Sequence, residues 1–173
     1  YKGLIMAILI SPMIVPLIIT AAGMFFFYAR INLVYTFTGV ILAHVALATP
    51  FVVITVTATL VGFDMNMVKA AQSLGAKPMR TFFKVIMPLI LPGIISGALF
   101  AFITSFDEVV IVMFMASIDQ LTIPKQMWAG IRQEISPVIL CMATCLVLLS
   151  IFLLTTVEVL RRRSEKLRGI KAR

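Results

Sequence analysis

Two neighbouring carboxylates, Asp107 and Glu108, lie at the end of a long charge-free segment and could act on a charged solute. A carboxylate inside hydrocarbon costs about 2.5 to 3.5 kcal/mol unless it faces water or a partner. Because neighbours on a helix point about 100° apart, at most one of the two can face a pathway squarely. The pair indicates either a mouth that attracts cations or an ordinary pair of interfacial charges. With Ser105, Phe106 and Trp128 it forms our candidate pathway set.

Four other side chains could do chemistry, and each also has a structural interpretation. His44 lies in an apolar segment, where a hydrogen bond to a neighbouring helix competes with a role in proton or substrate transfer. Trp128 either anchors at the membrane interface or stacks on an ammonium group. Cys141 and Cys145 share a helix face and are interpreted as small apolar fillers rather than metal ligands. With one His and no phosphate-binding loop or nucleophile elbow, the sequence predicts no catalytic site, metal site or cofactor.

Transmembrane helices are the elements that must position these residues. Hydrophobic residues make up 61% of the 173 positions and charged residues only 13%, against about 25% in soluble domains. Charge-free runs long enough to cross about 30 Å of hydrocarbon as helix cover Gly3–Ala29, Ile31–Phe63, Val85–Phe106 and Ile135–Val157. We therefore predict an all-α polytopic bundle with four spans, forming a single transmembrane domain over residues 1–173.

Proline and small residues predict how these spans bend and pack. Pro12 and Pro16 in the first span and Pro50 in the second each remove one helix hydrogen bond, so they are expected to kink or break the helix. Ser136 and Pro137 are expected to cap and start the fourth span. In the third span, small residues recur every four positions and predict close approach of another helix: Gly93, Gly97, Ala101 and Ser105.

The distribution of basic residues predicts the orientation. When four spans alternate across the membrane, twelve of the 15 basic residues lie on one side, and Arg30, Lys125 and Arg132 lie on the other. Basic residues concentrate in cytoplasmic loops, so the loop 64–88 and the basic tail 161–173 are predicted to be cytoplasmic. A basic tail next to a membrane span is interpreted as a topology anchor, and no nucleic-acid partner is expected. The predicted outer loops carry a small excess of negative charge, which favours cations.

The loop 64–88 carries strong local signals. Asp64 can cap a first short helix, Gly75 suits the left-handed position that ends it, and Pro78 suits the first turn of a second short helix. We expect a rigid hairpin of two short helices outside the membrane. The alternative is a plain helix lying on the membrane surface.

This loop resembles a known family motif. The segments Lys69-Ala70-Ala71 and Leu74-Gly75-Ala76, followed by Phe82, Val85, Pro88 and Pro92-Gly93, are similar to the EAA loop of membrane subunits of binding-protein-dependent ABC importers. The resemblance implies that the first short helix docks into a cleft of a separate cytoplasmic ATPase, which binds the ATP. The implied coupling residues are Asp64, Lys69, Ala70, Ala71, Leu74, Gly75, Ala76, Pro78 and Phe82. The family's usual Glu is Lys69 here, so an acidic contact with the ATPase does not carry over.

The resemblance extends along most of the chain. The segments 105–110, 121–124 and 135–137, with Ala43-His44 and Pro50-Phe51-Val52, are similar to the polyamine branch of these permeases. This implies the last four helices of a longer permease, an expectation that also fits a chain beginning at Tyr1. It implies as partners an ATPase dimer, a second permease subunit, an extracytoplasmic solute-binding protein and a small organic cation such as spermidine or putrescine.

Three other function classes stay open at this stage. They are an importer of the same class for another small solute, a channel or ion-coupled transporter without an ATPase, and a membrane-anchored assembly or sensor protein. A requirement for an ATPase that binds residues 64–87 would separate the importers from the others.

Overall fold

The computed structural model describes residues 1–133 and 136–167. Within these ranges the chain is helical, with short connections, and contains no strand. The helices are α1 (Lys2–Ile14), α2 (Leu17–Arg30), α3 (Phe37–Val61), α4 (Asn66–Ser73), α5 (Pro78–Phe106), α6 (Val110–Met115), α7 (Ile123–Gln133) and α8 (Pro137–Leu167). Residues 168–173 of the predicted basic tail lie outside the described residues.

The first predicted span is not one straight helix. α1 and α2 meet at 110°, with Val15 and Pro16 in extended conformations between them. Proline disfavours helical backbone at the residue before it, which explains why the helix stops at Ile14. The break that the sequence predicts at Pro16 is therefore confirmed, and the first charge-free run is a bent pair of helices. In the part of the chain that the structure describes, three helical segments are each long and apolar enough to span a membrane, namely α3, α5 and the part Pro137–Thr156 of α8. The bent pair is a fourth only if it crosses as one unit.

The other two prolines of these spans do not end a helix. Pro12 lies inside α1, and Pro50 lies buried inside α3. At the start of α8, the Ser136 hydroxyl oxygen accepts a hydrogen bond from the Val138 N–H at 3.1 Å, so the predicted cap is confirmed.

The second short helix of the loop is continuous with the third span, so the prediction that it is a separate helix was wrong, whereas the first short helix is present as α4. α5 runs from Pro78 to Phe106 and contains one wide π-helical turn over Phe82–Ile86. There the Met87 N–H donates to the Phe82 carbonyl, five residues back. The wide turn comes directly before Pro88, which has no N–H to continue the regular ladder.

α3 and α5 pack closely along the predicted stripe of small residues. A Cβ atom on Gly93 would overlap the Thr59 hydroxyl, and one on Gly97 would overlap the Thr55 hydroxyl. Both threonine hydroxyls donate to carbonyls of their own helix at 2.8 to 2.9 Å, which removes the cost of placing them at an apolar interface. The predicted close approach is confirmed, and α3 is the helix that makes it.

The short helix α6 forms the centre of the core at the other end of the α3–α5 pair. Ile111, Val112 and Met115 are fully buried. Ile111 and Met115 pack with buried residues of α2 and α3, namely Ala21, Tyr28, Ala43 and Leu47. The turn between α2 and α3 is tied to this end of α6, because the Tyr35 N–H donates to the Met115 carbonyl at 2.9 Å.

Candidate functional site

Both ends of α4 have the geometry that the sequence predicts. Asp64 Oδ1 accepts a hydrogen bond from the Asn66 N–H at 2.9 Å. At the other end Gly75 has φ +79°, and the Ala76 N–H donates to the Ala71 carbonyl at 3.0 Å. This pattern is the glycine-centred helix end that satisfies the last carbonyls. Pro78 occupies the first turn of α5, so the predicted cap, glycine turn and proline restart are all confirmed.

α4 has an inner and an outer face. Val68 and Ala71 are half-buried on the side that meets the start of α5, whereas Lys69, Ala70 and Ser73 are exposed. The remaining predicted coupling residues are also on the surface: Asp64, Leu74, Gly75, Pro78 and Phe82 are exposed, and Ala76 is half-buried. Leu74 is 89% exposed, a large apolar surface for a residue outside the spans. These residues therefore form an exposed surface around α4.

Glu108 and Asp107 lie in different environments at the far end of α5. Glu108 is only 6% exposed, and its Oε1 accepts a hydrogen bond from the Ile111 N–H at 2.7 Å. It therefore caps the first turn of α6, where a negative charge is favoured by the exposed N–H groups. Asp107 ends α5 and is exposed.

Lys125 completes the arrangement around α6. Its Nζ donates to the carbonyls of Val112 and Ala116 at 3.2 and 3.3 Å, at the C-terminal end of this helix. A cation is favoured there because the carbonyl end of a helix carries partial negative charge. Glu108 and Lys125 thus bind the two ends of the short, partly buried helix α6, which is a structural role for both charges.

Asp107 lines a cavity of about 450 Å³ between the end of α5, α7 and α8. Trp128 and Met127 of α7 are among its walls, and the α8 wall consists mainly of apolar side chains such as Leu146 and Val147. A carboxylate in a mainly apolar cavity attracts an ammonium group more strongly than it would in bulk water. The chemistry that this cavity offers is binding of a cation with an apolar chain.

A second cavity, of about 530 Å³, lies on the other side of Phe106 and Pro124, which line both. It contains His44 and Ser105, whose Nδ1 and Oγ are 2.8 Å apart. The predicted hydrogen bond from His44 to a neighbouring helix is confirmed, and it joins α3 to α5. The other ring nitrogen, Nε2, is buried and has no hydrogen-bond partner within the described part of the chain.

Trp128 already has a cationic neighbour. It is 47% exposed, and the Arg132 guanidinium lies 5.7 Å from the centre of its ring, within the range of a cation–π interaction. The pathway role of Trp128 stays a prediction.

The two cysteines are on the outer surface of α8. Cys141 and Cys145 are both free and exposed. The interpretation of these residues as small fillers was therefore wrong, because neither packs into the interior of this chain.

Comparison with known proteins decides the family. Residues 1–166 match the family described as the inner membrane component of binding-protein-dependent transport systems. The chain belongs to this family. Its multi-pass helical architecture is thus that of an inner-membrane protein.

Three relatives of this chain are named as permeases for polyamines. The chain is 29% identical over 164 residues to the spermidine/putrescine transport system permease protein PotC of Haemophilus influenzae, covering 95% of this chain and 62% of that protein. It is 28% identical over 165 residues to PotC of Escherichia coli (strain K12), covering 95% and 61%. It is 37% identical over 103 residues to the putrescine transport system permease protein PotI of the same strain, covering 60% and 37%. The chain spans about three fifths of the length of the PotC proteins that it matches.

The sequence patterns did not predict the short helix α6 or the hydrogen bonds that Lys125 donates to its carbonyls. The sequence pattern predicts Lys125 only as a charge of an outer loop. The available signal was the segment Val109–Met115, seven apolar residues between Glu108 and the polar stretch near Asp119. Such a run is too short for a span and fits a buried core helix.

Proposed function

We propose that this chain is a permease subunit of an ATP-driven importer and forms part of the pathway for a small organic cation such as spermidine or putrescine. The observation that carries the proposal is the family match over residues 1–166, in a chain whose α4 is presented between two membrane-spanning helices. The names of the relatives support a polyamine as the solute. The exposed Asp107, in its mainly apolar cavity, supports the cation.

In this proposal α4 and the residues around it dock on a cytoplasmic ATPase, which binds and hydrolyses the ATP. An ATPase dimer, a second permease subunit and an extracytoplasmic binding protein complete the assembly. The chain itself does no covalent chemistry. It converts movements of the ATPase into alternating access of the helix bundle.

Docking is tested by Gly75→Val in the complete transporter. A β-branched residue is strained at φ +79°, although no atom lies within 4 Å of its Cβ position, so only the backbone turn is disturbed. We expect at least tenfold less ATPase to co-purify and transport to fall in parallel. Gly75→Asn is expected to bind better than the Val variant, because Asn tolerates this conformation.

Gly62→Val is the matched control, since Gly62 ends α3 with φ −83° and its Cβ position has only the Thr59 carbonyl oxygen nearby, at 3.9 Å. Full ATPase recovery and transport with Gly75→Val would contradict docking through this turn. Transport that needs no ATPase would instead favour a channel or an ion-coupled transporter.

Orientation is tested by single cysteines in a background lacking Cys141 and Cys145. Asn66→Cys in α4 and Asp119→Cys near α6 both replace exposed residues. The excess of basic residues in the loop and tail predicts that a membrane-impermeant reagent labels the first only from the cytoplasm and the second only from outside. Labelling of the Asp119→Cys protein from the cytoplasm would overturn this orientation.

A further inference from the structure

The loop that carries α4 has an unbalanced charge. Between Asp64 and Pro88 it contains four basic residues, Lys69, Lys77, Arg80 and Lys84, and Asp64 as its one acidic residue. All four basic side chains are exposed. Asp64 already accepts the Asn66 N–H, so its carboxylate is occupied by the helix cap. The surface that faces the cytosol in the proposed orientation is therefore cationic.

The outer face of α4 also has a definite shape and chemistry. Its centre consists of small residues, Ala70 and Ser73, and the Ser73 hydroxyl turns inward to donate to the Lys69 carbonyl at 3.0 Å. On the helical projection, Met67 and Leu74 lie to one side of this centre and Lys69 lies to the other. Met67 and Leu74 are 49% and 89% exposed. One flank is thus apolar and the other cationic.

This face is suited to a protein partner rather than to the membrane surface. Val68 and Ala71 are half-buried on the side of α4 opposite its small-residue centre, and α4 contacts the start of α5. A helix lying in the membrane interface keeps a broad apolar side free for lipid, whereas the exposed apolar residues of α4, Met67 and Leu74, form only one flank of its outer face. Small residues at the centre allow close approach of another backbone, which requires a solid and complementary partner surface.

We infer that the cytoplasmic subunit that receives α4 has an acidic cleft, with an apolar floor for Met67 and Leu74 and at least one carboxylate beside Lys69. A cleft lined by basic residues would meet repulsion from Lys69 and from the nearby Lys77 and Arg80. The inference rests on the proposed function and adds the charge of the partner surface. It makes α4 selective against an ATPase whose cleft is basic.

The test is the affinity of the purified cognate ATPase for the full permease assembly in nanodiscs of neutral phosphatidylcholine. Lys69→Glu is expected to weaken binding by about tenfold or more at low salt, and Lys69→Gln by about threefold, because the first change turns an attraction into a repulsion. The difference in affinity between each Lys69 variant and the wild-type protein is expected to become smaller at about 0.5 M salt, because salt screens exposed charges. Lys2→Glu makes the same change of charge at an exposed residue outside the loop and is expected to have no effect.

The outcomes separate the two proposals. Failure of the wild-type assembly to bind the ATPase overturns the proposed function. Binding that is weakened by Gly75→Val but unchanged or strengthened by Lys69→Glu overturns the acidic cleft alone. The acidic cleft is also overturned if Lys69→Glu changes ATPase binding only in nanodiscs that contain anionic phosphatidylglycerol, because the basic residues of the loop would then bind the membrane surface.

Discussion

Replacing Asp107 by Asn is expected to lower polyamine uptake by about tenfold or more while leaving the fold intact. The side chain is exposed and lines a cavity with mainly apolar walls, so the change removes a charge that the helices do not need. An ammonium group entering this cavity would lose its electrostatic partner and would be left beside mainly apolar walls. The measurement is uptake of labelled spermidine or putrescine by vesicles that contain the complete transporter and ATP.

Glu108→Gln is the contrasting variant one residue away. Gln can still accept the Ile111 N–H but loses the negative charge at the start of α6, and its amide N–H groups need partners in a buried position. We expect a loss of about 1 to 2 kcal/mol in stability and little change in uptake per folded transporter. Wild-type uptake by Asp107→Asn would remove Asp107 from the pathway, and efficient uptake of an anion would remove the proposal of a cationic solute.

Gly97→Leu is expected to separate α3 from α5 and to cost about 3 kcal/mol or more, since overpacking a close helix contact is strongly unfavourable. Gly97 is buried, and its Cβ position overlaps the Thr55 hydroxyl and lies 3.1 Å from the Val52 Cα. Leucine favours helix over glycine by roughly 0.5 to 1 kcal/mol, which is too little to offset the clash. The measurement is the midpoint of thermal unfolding in detergent, together with the yield of folded protein.

Two further variants make this prediction specific to the contact. Gly97→Ala is expected to destabilise the protein less than Gly97→Leu does. Adding Thr55→Ala to Gly97→Leu is expected to recover part of the lost stability, because it removes the overlapping hydroxyl while the Val52 contact remains. Gly23→Leu on α2 is the control, since no atom lies within 4 Å of its Cβ position. Equal destabilisation by Gly23→Leu and Gly97→Leu would show that the change from glycine to leucine itself, and not the contact between α3 and α5, controls the effect.

The sequence predicts best where the local backbone decides the structure. Gly75 needs no tertiary contact to favour a left-handed turn, and Asp64 and Pro78 act on neighbouring residues, so all three were predicted correctly. The glycine spacing on α5 also predicted close packing, although it could not name the partner helix.

The predictions failed where tertiary packing decides between alternatives. Pro12 and Pro16 carry the same local signal, yet the chain turns by 110° only at the second, where α2 departs to pack on α6. The segment after Pro78 shows both a loop pattern and a span pattern, and the π-helical turn before Pro88 lets one helix contain both. Charges such as Glu108 and Lys125 looked like outer-loop charges because their partners are backbone groups, which no pattern of side chains reveals.

The continuity of α5 has a mechanical consequence. Its 29 residues correspond to a rod about 43 Å long, with Pro78 close to α4 at one end and Asp107 directly after the other. A tilt of about 6° about the Pro78 end would move the Asp107 end sideways by about 4.5 Å over that length. Because α3 packs closely against α5 at Gly93 and Gly97, the two helices would move together. A small rotation of α5 at its α4 end would thus change the width of the cavity that Asp107 lines.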